Sequence, residues 1–181
     1  MGLRGHSYLS DYNCFFVTTT CYKKLNLLNI SNHFNILYDS ILFVSKKFKS
    51  DIVAYVFMHN HIHLVVFFHE KMSLSEYMRD LKKYTAFMIR RSLTSLKEDE
   101  ILKAIRYEDR TQKFKIWQSR FDNVPIEKTK DIENIINYIH QNPVKRGLVS
   151  VAEDYTHSSS RYYELNEPDK SLPLLHYQEI F

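Results

Sequence analysis

The chain has 181 residues, 44% apolar and 25% charged, with 25 Lys and Arg against 21 Asp and Glu for a net charge of +4. That length favours one domain with a sizeable core, and the balance is that of a globular protein. Its three glycines form neither a Walker A loop nor a dinucleotide fingerprint, and Cys14 and Cys21 make neither a CxxC zinc pair nor a disulfide scaffold. The N-terminus lacks the apolar centre of a signal peptide, and no apolar run reaches the ~18 residues that span a bilayer. A cytoplasmic protein without a membrane partner is the expectation.

Residues 14–22 (CFFVTTTCY) are apolar, aromatic and β-branched and predict a strand. Residues 30–47 carry Phe34, Leu37, Ile41, Leu42 and Val44 at helical spacing, with Lys46 and Lys47 at the negative end of the dipole. Residues 51–58 and 61–68 predict two more strands, joined by a tight turn at His59-Asn60. Ser73-Leu74-Ser75-Glu76 is a capping box, and the helix it opens runs to about Leu93. Its expected apolar stripe is Leu74, Tyr77, Met78, Leu81, Tyr84 and Met88. Residues 96–109 are highly charged and give no clear pattern, whereas residues 114–124 look extended. Thr129 is the expected cap of a last helix, whose core face is Ile132, Ile135, Ile136 and Ile139, and Pro143 is its expected end. This order predicts an α+β fold, an antiparallel sheet with helices on one face. The domain is expected to cover residues 1–150, with residues 151–181 an acidic tail packed on it or extending from it.

Charge is unevenly spread. Residues 71–120 hold 13 Lys and Arg against 7 Asp and Glu, and residues 151–181 hold 2 against 6. A localised basic surface is what a polyanion binder needs. Arg79, Lys82, Lys83, Arg90 and Arg91 lie largely off the apolar stripe of their helix, and Arg120 follows Trp117. Such cations contact phosphates, and neighbouring aromatic rings can stack unpaired bases.

Two constellations can carry chemistry. In a strand, side chains alternate faces, so His61 and His63 point the same way and can converge on one metal ion. On the last helix, Asp131, Asn134, Tyr138 and Asn142 share a face beside the isoleucines. Tyr138 is a candidate nucleophile, and Asn142 a candidate oxygen ligand one turn on. Pro143 pushes Asn142 away from helical dihedrals, which leaves Gln141 as the alternative ligand.

Together these residues resemble a known family. Residues 57–64 (FMHNHIHL) are similar to the segment around the HUH motif of single-tyrosine transposases, with His59 where that family usually has proline. Residues 116–121 (IWQSRF), 137–149 (NYIHQNPVKRGLV) and 155–162 (YTHSSSRY) resemble the segments that follow it. Within the family the resemblance is strongest to the branch called REP-associated tyrosine transposases, and it covers residues 12–163. It implies the ferredoxin-like core of HUH nucleases, with helices packed on an antiparallel sheet. It also implies cleavage and rejoining of single-stranded DNA, near a hairpin, through a 5′-phosphotyrosine on Tyr138 and a free 3′-OH. Mg²⁺ or Mn²⁺ on His61 and His63 would polarise the scissile phosphate. Relatives act as monomers or as homodimers that exchange the tyrosine helix, and both remain open.

Two other readings compete. A replication or mobilisation nuclease would share the chemistry but not the NPVKRGLV stretch. A domesticated, non-catalytic hairpin DNA- or RNA-binding protein would not need His61, His63 and Tyr138 intact together.

Overall fold

The computed structural model describes residues 12–107 and 113–181; the reading of the N-terminal stretch before residue 12 and the last two residues of the charged stretch 96–109 fall outside them. Four strands and five helices follow in order: β1 (Cys14–Thr20), α1 (His33–Lys47), β2 (Ser50–Phe57), β3 (His61–Phe68), α2 (Leu74–Ser95), α3 (Asp99–Ala104), β4 (Asp122–Pro125), α4 (Thr129–Lys145) and α5 (Ser160–Leu165). The sheet order is β2-β3-β1-β4, with every pair antiparallel. Leaving aside the short α3, the first six elements run βαββαβ, the ferredoxin-like arrangement.

Helices cover both faces of this sheet, not one. Phe15, Val17, Leu64, Val66 and Phe68 pack with Leu37, Ile41, Tyr77, Met78 and Leu81 of α1 and α2. Cys14, Val53, Val56 and Val65 pack on the other side with Ile132, Ile136 and Ile139 of α4. The reason lies in β2 and β3. Their side chains are buried almost without alternation, and a strand that is apolar on both sides needs cover on both. Ile135 is only partly buried at the edge of the second cluster. The register of β2 against β3 slips between Ile52 and Ala54, so Val53 is an extra residue. This bulge puts Val53 and Ala54 together in the α4 cluster, while Ile52 and Tyr55 stay in the other.

Several local expectations are corrected by the packing. Of the extended 114–124 stretch only residues 122–124 belong to a sheet strand, β4, and Trp117 adds an isolated bridge to Cys21. Upstream, the Trp117 ring is buried and its indole N–H donates to Thr85 Oγ1 at 2.8 Å, which draws that segment towards α2. The buried stripe of α2 accordingly passes through Thr85, Ile89 and Leu93, and Tyr84 is exposed and stacked on Phe43. The Ser73 hydroxyl accepts from Glu76 N–H at 3.3 Å, but the Glu76 carboxylate sits 3.8 Å from Arg79. Thr129 is already helical, and Lys128 stands before it as an extended cap residue.

The end of α4 matters most for the site. Pro143 does not end the helix, which continues to Lys145. A proline there removes one backbone donor and crowds the carbonyl of Ile139, which kinks a helix but need not end it. The terminator is Gly147, at φ +67. Its N–H donates to Val144 O and that of Leu148 donates to Pro143 O, both at 2.9 Å, a Schellman closure that favours glycine at the left-handed position. Asn142 is therefore helical, one turn beyond Tyr138 on a continuous face.

Residues 155–175 run along the outer edge of β2. His157 O accepts from Phe57 N–H at 2.9 Å, Tyr55 O from Ser159 N–H at 3.0 Å and Ile52 O from Leu175 N–H at 3.0 Å. A strand edge so covered offers no template to another chain.

His140, 2% exposed, ties α4 to this segment through a 2.8 Å hydrogen bond between its Nε2 and Ser159 Oγ. Burial pulls its pKa down from 6.5 to about 4. The unfolded chain therefore takes up a proton between those pH values that the native protein refuses. Stability is complete above about pH 6.5 and falls as pH drops towards 4, by at most about 3 kcal/mol from this residue. Urea unfolding across that range is expected to show a flatter acid limb for His140→Gln; a limb as steep as wild type would refute this.

Candidate active site

His61 and His63 sit on β3, an inner strand, with Val65 continuing their face into the α4 cluster. Both side chains are nearly buried, and their ring centroids are 4.9 Å apart. Each ring is oriented through Nδ1. His61 Nδ1–H donates to Asn60 Oδ1 at 2.7 Å, and His63 Nδ1 shares a 2.7 Å hydrogen bond with the Thr18 hydroxyl. Thr18 is the register partner of His63 on β1, so the sheet itself delivers that hydroxyl. With Nδ1 as the donor, Nε2 carries the free lone pair, as in most metal-binding histidines.

Burial, with the Arg146 charge second, lowers the His61 pKa to about 4. Burial, then His61, lowers that of His63 to about 3, against a smaller opposing effect of Asn142. Both rings are thus neutral at pH 7, the form that binds a cation. His63 Nε2 is buried without a hydrogen-bond partner. Such an orphan costs about 1–3 kcal/mol, which a bound cation would relieve. Asn142 Nδ2 donates to Tyr138 O at 2.9 Å, which leaves Oδ1 without that commitment. Two imidazole nitrogens and one carboxamide oxygen fit a divalent ion. Gln141, the alternative ligand, is half-buried on the neighbouring face of α4.

Tyr138 is 45% exposed, and its ring lies edge-on to His63 at 5.5 Å and to Phe16 at 6.0 Å. Phe16 also stacks on His63 at 5.4 Å, so one β1 side chain braces both. The ring is held while nearly half of the residue stays exposed. All these contacts are made within one chain. His59 is half-buried outside the pair, and His69 pairs with Asp51 at 2.5 Å.

The expected DNA contacts fall in two places. Arg79, Lys82 and Lys83 line a cleft of about 510 Å³ between α2 and residues 115–121. Arg90 and Arg91 line a second of about 430 Å³ with Phe87. Arg120 lines neither but lies exposed just before β4. Lys82 is committed elsewhere: its ammonium donates to Gln118 O at 2.6 Å and Ser119 O at 3.0 Å. Burial, with Lys115 second, pulls its pKa down to about 8. Arg79 pairs with Asp80 at 3.1 Å, and Arg90 lies 4.4 Å over the Phe114 ring. Although α2 packs on the sheet face away from His61, the first cleft is joined to the site. Gln118 N–H donates to Thr20 O at 2.8 Å, and Thr20 is the register partner of His61.

Thr18, Asn60, Phe16, Lys145 and Arg146 join the site without having been expected there from the sequence. Asn60 adjoins the histidines, and Lys145 and Arg146 stand within the NPVKRGLV stretch; Thr18 and Phe16 carry no local signal.

A ferredoxin-like sheet with a histidine pair on an inner strand and a helix-borne tyrosine beside it defines a transposase-type α+β domain. The chain belongs to the IS200-like transposase family, matching the family described as "Transposase IS200 like" over residues 8–142. A Haemophilus influenzae protein assigned as a REP-associated tyrosine transposase is 48% identical over 44 residues, 24% of this chain and 25% of that protein's length. A solved structure of a REP-associated tyrosine transposase bound to a REP hairpin superposes with a TM-score of 0.67, covering 92% of this chain and 87% of that one at 23% identity. That likeness bears on the fold. Among the described residues, no helix is long and apolar enough to cross a membrane.

Proposed function

We propose that this transposase nicks and rejoins single-stranded DNA beside a hairpin, with Tyr138 as nucleophile and a divalent ion, Mg²⁺ or Mn²⁺, held by His61, His63 and Asn142. The observation that carries this reading is the buried, partnerless Nε2 of His63 with the Tyr138 ring 5.5 Å away. The structural relative whose description includes a bound REP hairpin supports the choice of substrate. The phenol oxygen attacks phosphorus, the P–O3′ bond breaks, and the 3′ oxygen leaves as a hydroxyl. The phenolic proton leaves as the new O–P bond forms and, passed through water, ends on the departing 3′ oxygen. A later 3′-OH attack on the phosphotyrosine reverses the step and joins strands. A divalent ion held by His61, His63 and Asn142 would supply positive charge that favours attack on the phosphate. Thr18 and Asn60 keep both rings in the binding tautomer, and Phe16 holds the tyrosine at the site. Because Tyr138 reaches His63 of its own chain, this reading requires no exchange of the tyrosine helix between subunits.

Incubation with Mn²⁺ and a pool of hairpin-bearing single strands is expected to yield a covalent protein–DNA species that survives denaturation. No such species from any strand would favour a binding protein without catalysis.

The basic surface makes a separate prediction. Charge reversal at Lys83 and Arg91, both exposed on α2, is expected to weaken binding to all sequences. Removing one cation that neutralises a phosphate lowers the log–log salt slope by about one. A slope unchanged in the Lys83→Glu, Arg91→Glu protein would remove α2 from the DNA path.

A further inference from the structure

The last turn of α4 adds two cations to the site. Lys145, two turns beyond Tyr138, places Nζ 5.5 Å from the centre of the Tyr138 ring. Arg146, the helix C-cap, follows it directly and is exposed at the same end of α4. Both side chains are exposed, and among the described residues no carboxylate pairs with either. Cations at a helix C-terminus do favour the dipole, but that would not direct them to the tyrosine and the histidine. The groups they border are His61, His63, Asn142 and Tyr138, and none is a carboxylate. Two unpaired cations beside such a site form a receptor for an anion.

We propose that Lys145 and Arg146 seat the non-bridging oxygens of the phosphodiester that Tyr138 attacks, with Lys145 moving from the tyrosine ring to the phosphate as the strand arrives. This rests on the reading above. Before DNA binds, the cation–π contact holds the ring near its working position at modest strength. The arriving phosphate is a stronger partner for the ammonium, and the exchange leaves the phenol oxygen facing phosphorus. As that oxygen bonds to phosphorus and the 3′ oxygen departs, negative charge grows on the non-bridging oxygens. Fixed donors aimed at that charge are worth most in the transition state.

The test uses the full chain, Mn²⁺ and the strand that the wild type links most efficiently from the randomised hairpin pool. Lys145→Gln is expected to slow covalent linkage about 100-fold, the cost of one well-aimed donor. Mn²⁺ affinity and binding of the bare hairpin stem should stay at wild-type level, and Lys145→Arg should restore most of the rate. A neutral methylphosphonate at the mapped linkage position should weaken binding to the wild type more than to Lys145→Gln/Arg146→Gln. If the double variant links as fast as wild type, or feels the methylphosphonate equally, the seat is overturned and the nucleophile reading stands. If the wild type links no strand, that reading falls and the seat with it. Urea unfolding of each variant separates damage to the helix cap from damage to the phosphate seat.

Discussion

Tyr138→Phe is expected to abolish covalent linkage to DNA, a loss of at least about 10⁴-fold, on the scale seen when covalent enzymes lose their nucleophile. The substitution deletes one oxygen atom. The ring contacts with His63, Phe16 and the Lys145 ammonium belong to the aromatic face and edge, which phenylalanine keeps. The side chain is 45% exposed, so losing the hydroxyl leaves no buried group unpaired. Fold, Mn²⁺ uptake and strand affinity should therefore match wild type, and intact mass after denaturation should show no protein–DNA species. A Phe variant that still links DNA would move the nucleophile elsewhere. Tyr84 and Tyr107 are then the tyrosines to test. Both are distant in role: Tyr84 stacks on Phe43, and Tyr107 packs edge-on to Tyr22.

The second large effect is expected at the histidines. His61→Ala or His63→Ala removes one of the three proposed ligands and should lower Mn²⁺ affinity more than about 100-fold, beyond what loss of a supporting hydrogen bond does. Linkage should vanish with it. Thr18→Val gives the graded control. It keeps the shape of the side chain and removes the hydroxyl from His63 Nδ1, so affinity should fall about 10–100-fold. Calorimetric titration with Mn²⁺ reads all three. Wild-type affinity in either histidine variant would sink the ligand assignment, whatever happens to activity.

Much of this site is legible along the chain because it follows the two short periods of secondary structure. Period two puts His61 and His63 on one face of a strand, and β3 has them so. Period 3.6 puts Tyr138 beside the Ile132, Ile136 and Ile139 stripe and Asn142 one turn on, and α4 has them so. The capping serine of α2 and the localised basic stretch are readable for the same local reason. Local reasoning fails where two local rules compete. Pro143 reads as the stop, but the helix carries it to Lys145, and Gly147 with its positive φ is the true closure. The stripe of α2 turns from Tyr84 to Thr85 because Trp117, 32 residues on, needs a hydrogen-bond acceptor.

By itself, then, the sequence determined which residues share a face of each element, where the basic surface lies and which side chains are chemically able to act. Only the tertiary structure decided that α4 lies on the histidine face of the sheet, opposite α1 and α2, and so brings Tyr138 to His63. It also decided that Thr18 orients His63 from 45 residues away, that Lys82 is spent on the Gln118 and Ser119 carbonyls, and that Lys145 and Arg146 border the site. The physical reason is the same in each case. Which face of a sheet a helix covers, and which side chains meet across it, depends on burying apolar area from both faces at once. That is a property of the packed whole, and no window of sequence contains it.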